Sequence, residues 1–456
     1  MSESAATGRH ISTQQAAFIG VAAMVGAGIF SLLGAAGEVA GSAVWLSFLI
    51  AGAIAALQGY SFAKLGARFP SAGGLLEYVN QGFGDGHVAT VVAWLVYIAN
   101  GIVTAMVALS FGSYASSAFA DGDPTMVKVF AVLLLVAMTA LNVAGSSLVA
   151  RVQSVVVVVV IGILAAFAVV TIANMEPGNL APATYPGARD IVSSVALTFF
   201  AFLGFGVVTF TARDLAQPAK QLPRAMFLAI GIATLVYVAV SIGVFGTLTV
   251  AEVIEAGPTA IALAAQPVLG DLGYWLMTVT ALFATAGATN AGLYPATGLS
   301  DHLASSGQFP TVMARRLGGR APFGLIILTV AIIIVVVAFD LSAVASIGSA
   351  VALVIFGLVT LGHLRIVEMT GARRSILIVA LAAVAITLLT FTLTTLINEP
   401  VSIATLIGIL VLSIALDLAW SRRRPAAPHS GAGGPTVPGA DPVPTEVPTP
   451  SAGDPT

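Results

Sequence analysis

The sequence predicts an all-α integral membrane protein with twelve transmembrane helices, and its composition and hydropathy carry this prediction. Apolar residues make up 58% of the 456 residues, whereas Asp, Glu, Lys and Arg make up only 8%. The mean hydropathy is +1.01. A soluble domain carries about 25% charged residues, so this chain has too little charge to cover a surface that faces water. The composition therefore excludes an ordinary soluble enzyme and a nucleic-acid-binding protein, which would need a basic surface.

Twelve apolar segments are long enough to be transmembrane helices, each of which needs about 20 residues. The predicted segments span residues 14–38, 43–66, 87–118, 126–148, 150–174, 190–212, 223–249, 272–303, 322–340, 342–366, 375–397 and 400–421. Two longer apolar runs, 126–174 and 322–366, are each divided into two helices. The divisions fall where polar residues interrupt the runs, at Gly145–Arg151 and near Asp340.

The distribution of basic residues orients these segments. If the N-terminus is cytoplasmic, all of the 18 Lys and Arg residues except Lys128 and Arg189 fall in cytoplasmic segments. Lys and Arg are enriched in the cytoplasmic loops of membrane proteins, and an error of one segment would destroy this alternation. We therefore expect both termini to be cytoplasmic.

The sequence offers no ligand set for a metal and no catalytic constellation. It contains no Cys, and its five His residues are scattered without the spacing of a metal site. The predicted helices contain no nucleophile paired with a base at membrane depth. We therefore expect a protein that is not an enzyme and that binds no metal and no cofactor.

Two glycine clusters interrupt apolar segments near their middle. The first segment reads VGAGIF over Val25–Phe30, and the sixth reads FFAFLGFG over Phe199–Gly206. Glycine weakens a helix interior by about 1 kcal/mol relative to Ala, and backbone that leaves a helix inside a bilayer must face protein or a water-filled cavity. Interruptions at corresponding positions of two halves indicate an internal inverted repeat with a binding site at the bilayer midplane.

Such interruptions expose N–H groups from one half-helix and carbonyl groups from the other. The N–H groups suit a carboxylate and the carbonyl groups suit an ammonium group, so the pair could bind an α-amino acid zwitterion without a charged side chain. The alternative is that these glycines only allow neighbouring helices to pack closely.

The same residues, together with a third motif, resemble permeases of the amino acid–polyamine–organocation (APC) superfamily. Val25–Phe30 resembles the GxGIF signature of their first helix. Phe199–Ala225 is similar to their sixth helix and the loop that follows it. Leu65–Gly74, which reads LGARFPSAGG, resembles the LGxxFPxSGG motif after their second helix.

The resemblance implies a leucine-transporter-like fold of 5+5 inverted repeats with discontinuous helices 1 and 6, located in the plasma membrane. Residues 1–13 would then be a cytoplasmic N-terminus, 14–174 and 190–366 the two five-helix repeats, and 375–421 two additional helices. The tail 425–456 is rich in Pro and Gly. It has too little apolar surface to pack, so we expect it to be disordered and cytoplasmic.

The resemblance also implies where a substrate would bind. Its carboxylate would meet the backbone of the first glycine cluster, and its ammonium group would meet carbonyl groups of both interruptions. Phe200 would be a gate that covers the substrate from the outer side, with a packing aromatic as the alternative. The predicted substrate-binding residues are Met24, Val25, Gly26, Ala27, Gly28, Ile29, Asn100, Phe200, Leu203, Gly204 and Gly206.

Polar side chains inside the predicted helices add two candidates. Asn100 is either a substrate contact or the partner of an interhelical hydrogen bond. Thr285 and Thr289 share one helix face and form a candidate sodium site, because sodium prefers oxygen ligands. The alternative is that these hydroxyl groups bond back to their own helix.

Three departures from the APC pattern bear on the substrate and on the coupling ion. Gly206 stands where many members have an acidic residue, and Val160 falls near the position of a lysine in many proton-coupled members. Arg213–Asp214 replaces the usual pair of glutamates. The common proton relays therefore cannot be transferred to this chain. A second charge on the substrate would have no buried partner, so we expect a neutral substrate.

These expectations describe a secondary active transporter of neutral amino acids that works by alternating access, with segments 1, 2, 6 and 7 rocking against segments 3, 4, 8 and 9. The alternatives are an amine or polyamine permease and an amino acid exporter or exchanger. A channel would need a pore loop or a charged stripe, which the sequence lacks. The expected partners are an amino acid substrate, the lipid bilayer and a coupling ion, H⁺ or Na⁺.

Overall fold

The fold is known from a computed structural model that describes residues 11–26, 28–71, 74–84, 86–144, 147–305, 309–317 and 321–421. Ala27 of the predicted site, most of the N-terminal segment 1–13 and the tail 425–456 lie outside these ranges. The described residues are almost entirely helical. One two-stranded ribbon pairs β1 (Arg316–Leu317) with β2 (Ala321–Pro322) in antiparallel register.

The described part of the chain forms sixteen α-helices. They are α1 (Thr13–Val25), α2 (Ile29–Ala40), α3 (Val44–Arg68), α4 (Leu75–Phe83), α5 (His87–Phe119), α6 (Pro124–Ala144), α7 (Ser147–Ala173), α8 (Ala188–Phe200), α9 (Pro218–Thr247), α10 (Val250–Ala256), α11 (Ala260–Ser305), α12 (Phe323–Ala338), α13 (Leu341–Arg365), α14 (Val367–Thr370), α15 (Arg374–Thr394) and α16 (Pro400–Ser421). Short 3₁₀ helices lie at Gly41–Ala43, Pro177–Leu180, Pro182–Thr184, Gly257–Thr259, Thr311–Ala314 and Leu396–Asn398, and a long one at Leu203–Asp214.

The helices agree with the predicted multi-pass membrane protein. Within the described ranges, ten helical stretches are long and apolar enough to cross a membrane, and α1 and α12 are shorter apolar helices. Each of the twelve predicted segments overlaps a helix, and the second long apolar run divides near Asp340, between α12 and α13. Exposed apolar side chains such as Leu133, Leu389 and Val411 cover the outer helices. In water so large an apolar surface would be costly, whereas in lipid it is expected.

Three helical features differ from the predicted segments. The eighth segment begins earlier, because α11 starts at Ala260 and contains one non-helical residue, Gly270 (φ 64°, ψ −160°). The helices α4 and α10 were not predicted, because at nine and seven residues they are too short to span a bilayer. The start of α10 is fixed by a capping box, in which Thr249 and Glu252 satisfy each other's backbone N–H groups.

The core is built around the interrupted first and sixth segments. The helix α3 packs along α9, α5 packs against α6 and α11, and α7 packs against α9. The helix α1 lies against α9 and the 3₁₀ helix Leu203–Asp214, while α2 lies against α8. The first half of the first segment therefore contacts the second half of the sixth, and the second half of the first contacts the first half of the sixth.

Candidate functional site

The first interruption separates α1 from α2 at the predicted glycine cluster. Gly26 N–H still donates to Ala22 O at 3.3 Å, and Gly28 N–H donates to Met24 O at 2.8 Å. In the described backbone, no hydrogen bond joins Ile29 N–H to Val25 O. The predicted glycine N–H groups thus already have partners. In the described backbone, the donors that the interruption leaves without their helical partners are Ile29 N–H and Phe30 N–H, at the start of α2.

The second interruption follows α8, where the backbone changes from α-helical to 3₁₀ hydrogen bonds. Ala201 N–H donates to Thr198 O at 3.2 Å and Phe202 N–H donates to Phe199 O at 2.9 Å, both in the 3₁₀ pattern. The twelve-residue 3₁₀ helix Leu203–Asp214 continues from this point. Runs of 3₁₀ helix beyond about four residues are uncommon and often mark a functional hinge.

The two interruptions touch each other at glycine residues. A Cβ atom at Gly204 would lie 2.5 Å from Met24 N, and a Cβ atom at Gly28 would lie 2.7 Å from Ala201 Cβ. No side chain larger than hydrogen fits at either position unless the backbones separate. The glycine clusters therefore allow direct backbone contact between the first and sixth segments.

Tyr237 of α9 contacts both interruptions. Its hydroxyl group donates a hydrogen bond to Ala201 O at 3.1 Å. The same oxygen would lie 2.6 Å from a Cβ atom at Gly28. The ring is fully buried, with ring centroids 5.3 Å from Phe48 and 5.0 Å from Phe202. One hydroxyl group thus satisfies a carbonyl group of the sixth segment while it borders the first.

Phe200, at the end of α8, packs against α5 and α13. Its side chain is buried, and a Cβ atom at Gly348 of α13 would lie 2.9 Å from both Phe200 Cε2 and Ile102 Cγ2 of α5. The ring therefore lies between the interrupted helices and the pair α5 and α13. The role of Phe200 as a gate stays a prediction.

Comparisons with known proteins agree with this arrangement. The profile of the family described as "Amino acid permease" matches residues 11–416. The chain belongs to this amino acid permease family, within the APC superfamily.

Relatives of this permease include transporters whose names differ in the substrate that they give, where they give one. The inner membrane transport protein YbaT of Escherichia coli is 30% identical over 408 residues, which cover 89% of this chain and 95% of the relative. The methylthioribose transporter of Bacillus subtilis is 26% identical, covering 69% of this chain and 71% of its own. The branched-chain amino acid permease BcaP of the same organism is 24% identical, covering 54% and 56%.

The permease brings most of the predicted site residues to the two interruptions. Met24, Val25, Gly26, Gly28 and Ile29 line the first, and Phe200, Leu203, Gly204 and Gly206 line the second. A Cβ atom at Gly206 would meet no heavy atom of the described structure within 4 Å. Space therefore remains next to this position.

The predicted polar candidates are engaged in bonds between or within helices. Asn100 Nδ2 donates to Gly292 O of α11 at 2.8 Å, which ties α5 to α11. Thr285 Oγ1 donates to Ala281 O at 2.6 Å, and Thr289 Oγ1 donates to Thr285 O at 2.9 Å. These contacts match the alternatives that the sequence left open. The proposed roles in substrate and sodium binding remain predictions.

A cavity of about 20 Å³ lies beside the first interruption, between α1, α7 and α11. This volume holds about one water molecule. Its side-chain lining is hydrocarbon or glycine, including Gly26, Val160, Ala284 and Ala288, and the two candidate threonines do not line it. Any oxygen that faced an ion here would have to come from the backbone.

A larger cavity of about 370 Å³ lies next to α2 at the end far from the interruption. It is lined by Gly34 and Glu38 of α2, Leu109 of α5, Lys128 of α6 and the N-cap residue of α13, Asp340. The cavity carries charges of both signs and is of the size of small-molecule sites.

Tyr237 is the site residue that the sequence analysis did not select. It is a tyrosine within the predicted segment 223–249, and intramembrane polar groups are usually placed for a reason. A polar side chain inside an apolar segment was therefore a signal that could have identified Tyr237. The sequence does not indicate its partner, because Ala201 lies 36 positions away on another helix.

Proposed function

We propose that this permease is a secondary active transporter of neutral amino acid zwitterions that works by alternating access. The observation that carries the proposal is the direct contact of two helix interruptions, at Gly28 with Ala201 and at Gly204 with Met24. Half-helix ends with exposed backbone dipoles suit the opposite charges of a zwitterion. The residues named at the two interruptions include no Asp, Glu, Lys or Arg.

The proposed pose uses the groups that the interruptions leave available. The substrate carboxylate accepts a hydrogen bond from Ile29 N–H at the positive end of α2. Its ammonium group donates to carbonyl groups near Val25 and Leu203. Phe200 covers the side chain from the end that holds the larger cavity. Asn100 remains a proposed second contact, reached if its bond to Gly292 O opens.

The absence of a named charged partner favours neutral over charged substrates. A guanidinium group or a second ammonium group on the substrate would be buried next to Gly206 without a counter-charge, which costs several kcal/mol. The name of the relative BcaP, a branched-chain amino acid permease, agrees with this preference. A polyamine permease is the alternative that this argument disfavours.

We further propose that the chain contains an internal repeat and has a defined orientation in the membrane. Residues 14–174 and 190–366 would be the two inverted five-helix repeats, followed by two additional helices at 375–421. Both termini would lie in the cytoplasm of a cell whose plasma membrane holds the protein. The backbone bond from Ile11 N–H to Asp214 O, 2.9 Å long, then ties the start of α1 to the end of the 3₁₀ helix Leu203–Asp214 at the inner end. That contact would have to open for inward release.

The test combines binding and flux on the purified full-length protein. A thermal-shift screen against the protein amino acids, arginine and putrescine is expected to show stabilisation by neutral amino acids, since a ligand at 100 times its Kd adds about 2.7 kcal/mol. Proteoliposomes should then show saturable counterflow of the same compounds. Stabilisation by arginine or putrescine alone would contradict the neutral substrate. Ohmic single-channel current would contradict a carrier.

A further inference from the structure

A buried polar network joins three helices away from the proposed substrate site. Ser61 Oγ of α3 lies 2.7 Å from His363 Nδ1 of α13. One turn earlier on both helices, Thr360 Oγ1 donates to Gln58 Oε1 at 2.6 Å. Gln58 Nε2 in turn donates to Ala380 O of α15 at 3.2 Å. The imidazole of His363 is fully buried at the centre of this network.

The hydrogen bonds satisfy a neutral imidazole. Thr370 Oγ1 donates to Val367 O at 3.0 Å. In this arrangement it accepts a hydrogen bond from His363 Nε2, which lies 2.8 Å away. In the neutral ring Nδ1 is then an acceptor, and the Ser61 hydroxyl group donates to it. Every polar atom of His363 is satisfied in the neutral form.

His363 Nδ1 can bind a proton, and the Ser61 hydroxyl group can reorient in response. If Nδ1 binds a proton, it becomes a donor and Ser61 Oγ must become the acceptor. The Ser61 hydroxyl proton can then turn to a carbonyl group one turn earlier on α3, which is a common arrangement for serine in a helix. Only an N–H bond forms, the ring becomes a cation, and release of the same proton restores the neutral ring.

The charged groups around His363 come from several helices. Lys64 lies on the next turn of α3 beyond Ser61. Removal of α3 from α13 would expose the imidazole to water, where a cation is solvated. The other ionisable residues at this end of the described helices are Tyr60 and Arg68 on α3, Glu77 and Tyr78 on α4, His87 and Asp417 on α5 and α16, Arg365 on α13, Glu368 on α14, and Arg373 and Arg374 beside and on α15.

An aromatic cluster connects this network to α8, the helix that ends at the proposed gate residue Phe200. Phe62, next to Ser61, stacks on Phe356 of α13 with ring centroids 5.2 Å apart. Phe356 also packs against Phe199 at 5.6 Å and Phe205 at 5.2 Å. Phe199 directly precedes the proposed gate at Phe200. A change in the contact between α3 and α13 therefore acts on the residues that flank the second interruption.

We propose that His363 Nδ1 is the binding site for the proton that this permease couples to substrate movement. The inference rests on the proposed transport function. The neutral ring is bonded in the conformation described here, and the proton binds when α3 and α13 separate. Because proton binding and conformation are then linked, a proton gradient drives the cycle in one direction.

The test uses full-length protein in proteoliposomes and an equimolar mixture of ¹⁴C-labelled neutral amino acids. Counterflow at equal pH on both sides measures exchange, and uptake into vesicles one pH unit more alkaline inside measures coupling. A one-to-one proton coupling allows about tenfold accumulation per pH unit. The wild type is expected to approach this value. His363→Gln, whose amide can replace both hydrogen bonds without titrating, is expected to keep counterflow and to accumulate less than about twofold.

Two further variants separate coupling from packing. His87→Gln removes the exposed histidine that bonds to Asp417 Oδ2 at 2.6 Å, and it is expected to keep full accumulation. Ser61→Ala keeps the imidazole but removes its donor, and it is expected to shift the pH dependence of uptake while counterflow persists.

The outcomes distinguish the inference from the function on which it rests. No counterflow in the wild type would overturn the proposed transport function. Counterflow without accumulation in the wild type, or equal accumulation by His363→Gln and the wild type, would overturn the proton site alone. Loss of accumulation in His87→Gln with retention in His363→Gln would move the site to the pair His87 and Asp417.

Discussion

The Tyr237 hydroxyl group donates a hydrogen bond to Ala201 O, the carbonyl group at the point where the sixth segment leaves its α-helix. A carbonyl group that loses its helical partner inside a bilayer must find another one. Tyr237 supplies that partner from α9, and its oxygen simultaneously borders Gly28 of the first segment. The interruption is thereby held in one geometry rather than left to water.

Tyr237→Phe is expected to weaken substrate binding more than it weakens the fold. The ring would keep its contacts with Phe48 and Phe202, but the buried Ala201 carbonyl group would lose its donor, which costs about 1–3 kcal/mol. Thermal unfolding and substrate affinity are the measurements. Tyr97→Phe is the matched control, because Tyr97 also donates to a carbonyl group, Gly324 O at 2.7 Å, away from both interruptions. Equal loss of affinity in both variants would contradict a specific role for Tyr237.

Gly28→Leu is expected to abolish transport, and Gly28→Ala to reduce it. Even a methyl group at position 28 would lie 2.6 Å from the Tyr237 hydroxyl oxygen and 2.8 Å from Ala201 O. Overpacking of this kind costs about 1–3 kcal/mol and would push the two segments apart. Gly231→Ala on α9 is the control, since a Cβ atom there meets nothing within 4 Å in the described structure. Unaltered uptake by Gly28→Leu would show that the contact is not part of the site.

The positions of the helices and of their interruptions could be predicted from the sequence because both are local properties. Apolar runs set the segments, and the clusters at Gly26 and Gly204 mark where the α-helices stop. Which backbone groups remain available could not be predicted. Gly26 N–H and Gly28 N–H keep their i to i−4 hydrogen bonds, so the donors without helical partners in the described backbone lie further along, at Ile29 and Phe30.

Contacts between segments that are far apart in the chain could not be predicted from the sequence either. Asn100 could bond either to substrate or to a neighbouring helix, and only the packing of α5 on α11 places it next to Gly292 O. Ser61 and His363 lie 302 positions apart, and nothing local to either residue indicates the other. The local sequence around a tyrosine or histidine in an apolar segment is the same whether the side chain only packs, forms a hydrogen bond between helices or binds a proton.

Phe200→Ala is expected to weaken substrate affinity and to speed release of bound substrate. The ring fills the space between the second interruption and Gly348, so its removal leaves the proposed substrate uncovered on this side. A buried Phe→Ala change also costs about 3–5 kcal/mol of stability, so stability must be controlled. Phe391→Ala on α15 removes an equally buried ring outside the site. If both variants release substrate at the wild-type rate, Phe200 is not a gate.

Transport is expected to be independent of sodium. The cavity beside Gly26 has no side-chain oxygen in its lining, and the hydroxyl groups of Thr285 and Thr289 donate to their own helix. A hard cation needs several oxygen ligands to replace its water. Replacement of sodium by choline should leave uptake unchanged, and so should Thr289→Val. A loss of uptake in both experiments would establish the threonine pair as a sodium site.

Gly206→Asp is expected to change the preferred substrate charge. A Cβ atom at this position meets no heavy atom within 4 Å of the described structure, so an acidic side chain fits without displacing its neighbours. Its carboxylate would supply the counter-charge that a guanidinium or second ammonium group lacks in the wild type. A hydrogen bond to a charged group contributes about 1.5–3 kcal/mol, so competition by arginine or putrescine should strengthen at least about tenfold. Gly206→Asn has nearly the same shape without the charge and should not show this gain. If Asp and Asn behave alike, the substrate does not lie beside position 206, and the preference for neutral amino acids must have another cause.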